Sequence, residues 1–143
     1  MNFLLDTNVV SEWTKPRPDP GVVQWLADAD EDRIFISVAT LAEVRYGVER
    51  MQPGSRRDRL ERWIADELPN RFEHRIAVAD AEVANMWGKV LARGYAIGRP
   101  IASMDALIAA TAIHYELALV TRNVSDFEAL DLPLVDPWAS RDS

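Results

Sequence analysis

Four carboxylates, Asp6, Glu43, Asp105 and Asp126, stand where an α/β chain could gather them. Asp6 follows the apolar run Asn2 to Leu5. Glu43 lies on the first turn of the helix expected after Arg33 to Ser37. Asp105 opens a helix, and Asp126 closes the polar stretch after Leu117 to Val120. In open α/β sheets ligands collect at the carboxyl ends of the strands, so all four are candidates for one site. Acids crowded at one edge repel, which raises their pKa values and costs stability unless positive charge sits among them. A hard divalent cation resolves this: Mg²⁺ and Mn²⁺ prefer oxygen ligands, and a chain with 0 cysteines and 2 histidines has no soft ligand set to offer. Asn8, Thr121, Asn123 and Ser125 supply amides and hydroxyls that could orient the carboxylates.

Each acid also has a plainer use. Asp6 could cap the helix after it, Thr40-Leu41-Ala42-Glu43 fits a capping box, and Asp105 sits where the helix dipole favours negative charge. Ser125-Asp126 could start a short helix. Glu43, however, lies off the Leu41/Val44/Val48 stripe and need not face the core.

The elements that must position these acids read as strands separated by helices. Strands are expected at Asn2 to Leu5, Arg33 to Ser37, within Arg71 to Val78, at Leu117 to Val120 and at Leu134-Val135. Asp19-Pro20 starts a helix. A second helix carries Leu41, Val44, Val48 and Met51, and a third carries Leu60 to Leu68 and stops at Pro69. Asp80 to Arg93 forms a helix closed by Gly94, and Ser103 to about Tyr115 forms another. Apolar runs without alternation imply a central, mostly parallel sheet with helices on both faces, in one α/β domain over residues 1–138 and a frayed tail at 139–143. A fold that begins at residue 2 places its first strand centrally.

Composition narrows the function. Lysine plus arginine number 16 against 23 acids, a net charge of −7, so the chain cannot hold nucleic acid by global positive charge. A local strip remains open. Between Arg45 and Arg62 there are six arginines against three acids. That run reads either as a hairpin laced with ion pairs or as a phosphate-tracking rim in which Arg45, Arg56, Arg57 and Arg59 contact a nucleic-acid backbone. No apolar run reaches the ~20 residues of a membrane span, and no signal-like amino terminus is present, so a cytoplasmic protein without membrane contact is expected. Serine-hydrolase and nucleotide-loop motifs are absent.

LLDTNVVSE, LAEVRYG around Glu43, SMDALIAATA around Asp105 and LVTRNVSDF around Asp126, in this order, resemble the PIN-domain ribonucleases of the VapC/FitB type, toxins of bacterial type II toxin–antitoxin pairs. The resemblance implies a PIN-like fold and an acidic quartet of Asp6, Glu43, Asp105 and Asp126, with Asp6 and Asp105 as direct Mg²⁺ ligands. It implies hydrolysis of RNA by metal-activated water. It also implies a homodimer neutralised by a cognate antitoxin, which alone touches operator DNA. Two other readings stay open. One is an aspartyl-phosphate phosphatase of the haloacid-dehalogenase kind, although Asn8 stands where that family has aspartate. The other is a non-catalytic regulatory binding module whose acids are only caps.

Overall fold

The computed structural model describes residues 1–138, and the expected tail at 139–143 lies outside the described residues. In chain order the elements are β1 (Phe3–Leu5), α1 (Thr7–Glu12), α2 (Pro20–Asp28), β2 (Ile34–Ser37), α3 (Val38–Glu49), α4 (Ser55–Arg62), α5 (Leu68–Arg71), β3 (Ile76–Ala77), α6 (Ala81–Ala96), α7 (Ser103–His114), β4 (Ala118–Val120), α8 (Val124–Phe127) and β5 (Leu134–Val135). All strand pairs are parallel, and the sheet order β3-β2-β1-β4-β5 puts β1 at the centre, as its early start predicts.

Successive strand residues point to opposite faces, and both faces are covered. Leu4, Phe35 and Leu119 pack with α6 and α7 on one side. Leu5, Ile34, Ile36 and Val120 pack with Val9, Val10, Val22, Leu68 and Phe72 on the other. Full burial of each such side chain contributes about 1.5–3 kcal/mol, so the sheet is fixed from both sides. Ala106, Ala109, Ala110 and Ala112 of α7 are buried and let that helix lie close to its neighbours. Among the described residues no helix is long and apolar enough to cross a membrane.

Three local expectations change. The helix does not stop at Pro69. A π-helical stretch, Trp63–Glu67, leads into α5, and the Leu68 N–H reaches back to the Trp63 carbonyl. The wider turn opens the ladder just ahead of a residue with no N–H to give and a ring that crowds preceding carbonyls. Second, α6 runs past Gly94 to Ala96. The turn beyond it uses Gly98, at φ +72°. Third, α3 starts at Val38 with Ser37 as its cap, its hydroxyl accepting from Thr40 N–H at 3.1 Å. Thr40 is therefore inside the helix, and no capping box forms between Thr40 and Glu43.

Candidate active site

β1 and β4 run side by side with Leu5 opposite Val120, so the residues that follow, Asp6 and Thr121, emerge together at the carboxyl edge. Asp6 is only 4% exposed. Its Oδ1 accepts from Thr7 N–H at 2.7 Å and its Oδ2 from the Thr121 hydroxyl at 2.8 Å. It caps α1, as the plain reading holds, but with one oxygen. The second faces β4. Burial pushes the Asp6 pKa up against these two hydrogen bonds, and the nearby charges of Glu43 and Asp126 push the same way.

Freed from a capping box, Glu43 turns towards α1. Its Oε1 accepts from the Thr7 hydroxyl at 2.6 Å, and the Thr40 hydroxyl lies 3.2 Å from that of Thr7. Asp105 occupies the first turn of α7, whose N-cap, Ala102, provides no side-chain bond. Burial, then the charges of Asp6, Glu43 and Asp126, push the Asp105 pKa up to about 6. Asp126 is exposed within α8, and its N–H donates to the Asn123 carbonyl at 3.0 Å. The four acids thus lie within one another's electrostatic reach. Among the described residues none of them has a salt bridge to lysine, arginine or histidine.

The other expected residues divide. The Thr121 hydroxyl bonds Asp6 and accepts from Asn123 N–H at 3.0 Å. Asn8 bridges α1 to β4: its Nδ2 stands 3.4 Å from both Asp6 Oδ2 and Thr121 Oγ1, and its Oδ1 accepts from Arg122 N–H at 3.3 Å. Asn123 contributes its backbone rather than its amide, and Ser125 offers its carbonyl to Arg99 at 2.9 Å. Their side chains are exposed because the turn presents main chain to the site. Arg45 pairs with Glu61 at 2.8 Å and Glu49 at 3.7 Å, and Arg57 with Glu49 at 3.1 Å. The run is thus partly a laced hairpin. Arg56 and Arg59 are exposed, with no ion pair among the described residues.

Two residues escaped the sequence reading. Glu12, 3% exposed, accepts from Lys15 Nζ at 2.9 Å and from Asp19 N–H at 3.2 Å, stapling the loop before α2. Its signal was faint: an acid on the buried face of a short helix. Arg99 lines a cleft with Asp105 and Asp126, and nothing in the spacing of a loop arginine announces that. Neither histidine joins the acids: His114 packs edge-on against Tyr115 and faces Glu82 at 3.6 Å, and His74 is exposed.

The donor set fits a hard divalent cation in its chemistry: carboxylate oxygens at a strand edge, two of them with pKa values pushed up by burial and by neighbouring acids. As they stand, no three acid or histidine side chains among the described residues are drawn tightly enough to be a finished cage. Asp6 is bonded to Thr7 and Thr121, and Glu43 to the Thr7 hydroxyl.

Comparison with known proteins finds relatives along nearly the whole chain. The PIN domain family matches residues 3–131. The chain is 32% identical over 136 residues to VapC ribonuclease Y4jK of Sinorhizobium fredii, covering 95% of this chain and 97% of that one. It is 34% identical over 136 residues to toxin FitB of Neisseria gonorrhoeae, covering 95% and 98%. Among solved structures, FitAB bound to the IR36 DNA fragment superposes with a TM-score of 0.89 at 33% identity, covering 95% of each chain.

Proposed function

The chain belongs to the PIN-domain family, and we propose that it is a metal-dependent endoribonuclease, the toxin of a toxin–antitoxin pair, with Asp6, Glu43, Asp105 and Asp126 as its active site. One observation carries the site: Asp6 and Asp105 are raised by burial and by neighbouring acids, with no cationic side chain paired to any of the four among the described residues. Such a cluster calls for a cation. Asp6 and Asp105 would hold Mg²⁺ or Mn²⁺, with Glu43 and Asp126 completing the set. When bound, the ion supplies Lewis-acid polarisation and neutralises charge that gathers on a phosphate.

The protein's part is orientation. Thr7 N–H and the Thr121 hydroxyl fix both oxygens of Asp6, and the Thr7 hydroxyl steers Glu43. Asn8 ties the two strand ends together. RNA phosphodiester hydrolysis by water at such a site leaves a 5′-phosphate and a 3′-hydroxyl, without recourse to the substrate's 2′-hydroxyl. Arg56 and Arg59 face solvent and suit a rim that tracks the RNA backbone.

The protein acts in the cytoplasm as a homodimer, and a cognate antitoxin neutralises it. Operator DNA is contacted through the antitoxin. An arginine from the antitoxin suits an acidic cleft through a charge-assisted hydrogen bond. The PIN-domain match over residues 3–131, with Asn8 where the haloacid-dehalogenase kind has aspartate, disfavours the phosphatase alternative. The test is induced expression of wild type and Asp6→Ala in a bacterial host. Growth arrest with cleaved RNA is expected from wild type alone; arrest by both would remove Asp6 from the chemistry.

A further inference from the structure

We propose that Arg99 receives an RNA phosphate oxygen in the cleft beside Asp105 and Asp126, an assignment that rests on the ribonuclease reading above. Arg99 to Ala102 form one wall of a cleft of about 220 Å³ that Asp105 and Asp126 also line. A phosphodiester brought to four carboxylates meets like charge. A guanidinium fixed at the edge of the same cleft offsets that repulsion and grips phosphate through a planar fork of donors.

Arg99 is mounted for this. Its Nη2 donates to the Ser125 carbonyl at 2.9 Å, one residue before Asp126, and stands 3.8 Å from Glu128 Oε1. The side chain remains 52% exposed and open to a ligand. Its loop is pinned at both ends. Arg99 N–H donates to the Gly94 carbonyl at 2.9 Å, and Trp87 Nε1 donates to the Ser103 carbonyl at 2.9 Å. Gly94 is required for this approach, since a Cβ there would stand 2.9 Å from the Arg99 carbonyl oxygen. Gly98, at φ +72°, makes the turn that delivers Arg99. A solvated surface arginine has no need of such a mounting.

The bland alternative is that Arg99 only ties the loop to α8. Arg93 is the internal control: its Nε donates to the Ala129 carbonyl at 3.2 Å, a similar tie, but it does not line the cleft. The experiment uses the full chain, a fluorescent single-stranded RNA oligonucleotide, and the variants Arg99→Gln, Arg99→Lys and Arg93→Gln. Cleavage is measured directly, and binding is measured against salt in an Asp6→Asn background. Arg99→Gln should lower kcat/KM and affinity about 10- to 100-fold, the loss of one charge-assisted hydrogen bond. It should flatten the slope of log K against log salt by about 0.7, one phosphate contact. Arg99→Lys, which keeps the charge and guards against a glutamine variant that fails to fold, should keep the slope but lose rate. Arg93→Gln should match wild type. An unchanged slope and affinity in Arg99→Gln, or an equal loss in Arg93→Gln, overturns the assignment while wild type still cleaves. A wild type that does not cleave RNA overturns the ribonuclease reading and this assignment with it.

Discussion

The Thr121 hydroxyl donates to Asp6 Oδ2 across 2.8 Å, joining residues 115 positions apart. The bond follows from strand register. Leu5 lies opposite Val120, and Asp6 N–H donates to the Val120 carbonyl at 2.9 Å, so the next residue on each strand must meet. Asp6 is thereby aimed before any ligand arrives. In a buried site that preorganisation matters more than the bond's own energy.

Thr121→Val keeps the shape and removes the donor. A buried carboxylate then loses a partner, and stability should fall by about 1–3 kcal/mol in urea denaturation. Because the Thr121 bond lowers the Asp6 pKa, its loss should raise that pKa further. The acid limb of the activity profile should therefore move to higher pH.

Asp105→Asn separates a catalytic acid from a helix cap. Asp105 is raised to about 6 by burial and by three neighbouring acids, so removing its charge relieves strain. Without divalent ions the variant should melt at or above the wild-type temperature, while RNA cleavage falls by at least about 100-fold, of the order seen when one preorganised electrostatic group is lost. A pure capping or dipole role gives the opposite pair: lower melting temperature and intact function.

Stability should depend on pH and on Mg²⁺ together. Between its ordinary value of 3.8 and about 6, Asp105 holds a proton in the folded protein that the unfolded chain has released. Stability therefore declines as pH rises through that window, and Asp6 adds in the same direction. A cation binds the ionised carboxylates, so Mg²⁺ should raise the melting temperature more at pH 7.5 than at pH 5. Thermal scans at the two pH values with and without Mg²⁺ measure this; an equal gain at both would detach the ion from these acids.

The sequence made Asp6, Asp105 and Asp126 legible because each sits beside a strand end or helix start, where order along the chain nearly dictates position in space. Glu43 faces away from the core stripe as expected, but it lies on the second turn of its helix rather than the first. The helix is capped by Ser37, three residues before the Thr40 of the capping-box pattern, which leaves the Glu43 carboxylate free to meet Thr7. Pro69 and Gly94 misled for a related reason: a π turn and a close backbone approach are tertiary solutions that propensity does not encode. Glu12 meets Lys15 and the loop N–H of Asp19, and Arg99 meets the Ser125 carbonyl 26 residues on, contacts set by loop geometry that periodicity cannot report.

The arginine run offers a separate test. Arg45 and Arg57 are engaged with Glu49 and Glu61, whereas Arg56 and Arg59 are exposed. Arg56→Glu with Arg59→Glu should weaken RNA binding and flatten its salt slope by about 1.4, two phosphate contacts. Folding stability should change by no more than about 0.5 kcal/mol per site. Fluorescence anisotropy at several salt concentrations decides it, and unchanged binding would leave the run a solvated surface.

The most direct test of the central claim is cleavage of RNA by the purified chain in Mg²⁺ and in EDTA, with both new ends identified. The expected result is cleavage in Mg²⁺ only, leaving 5′-phosphate and 3′-hydroxyl ends, and none from Asp6→Asn. Cleavage that persists in EDTA and yields 2′,3′-cyclic phosphates would contradict a cation-loaded carboxylate site.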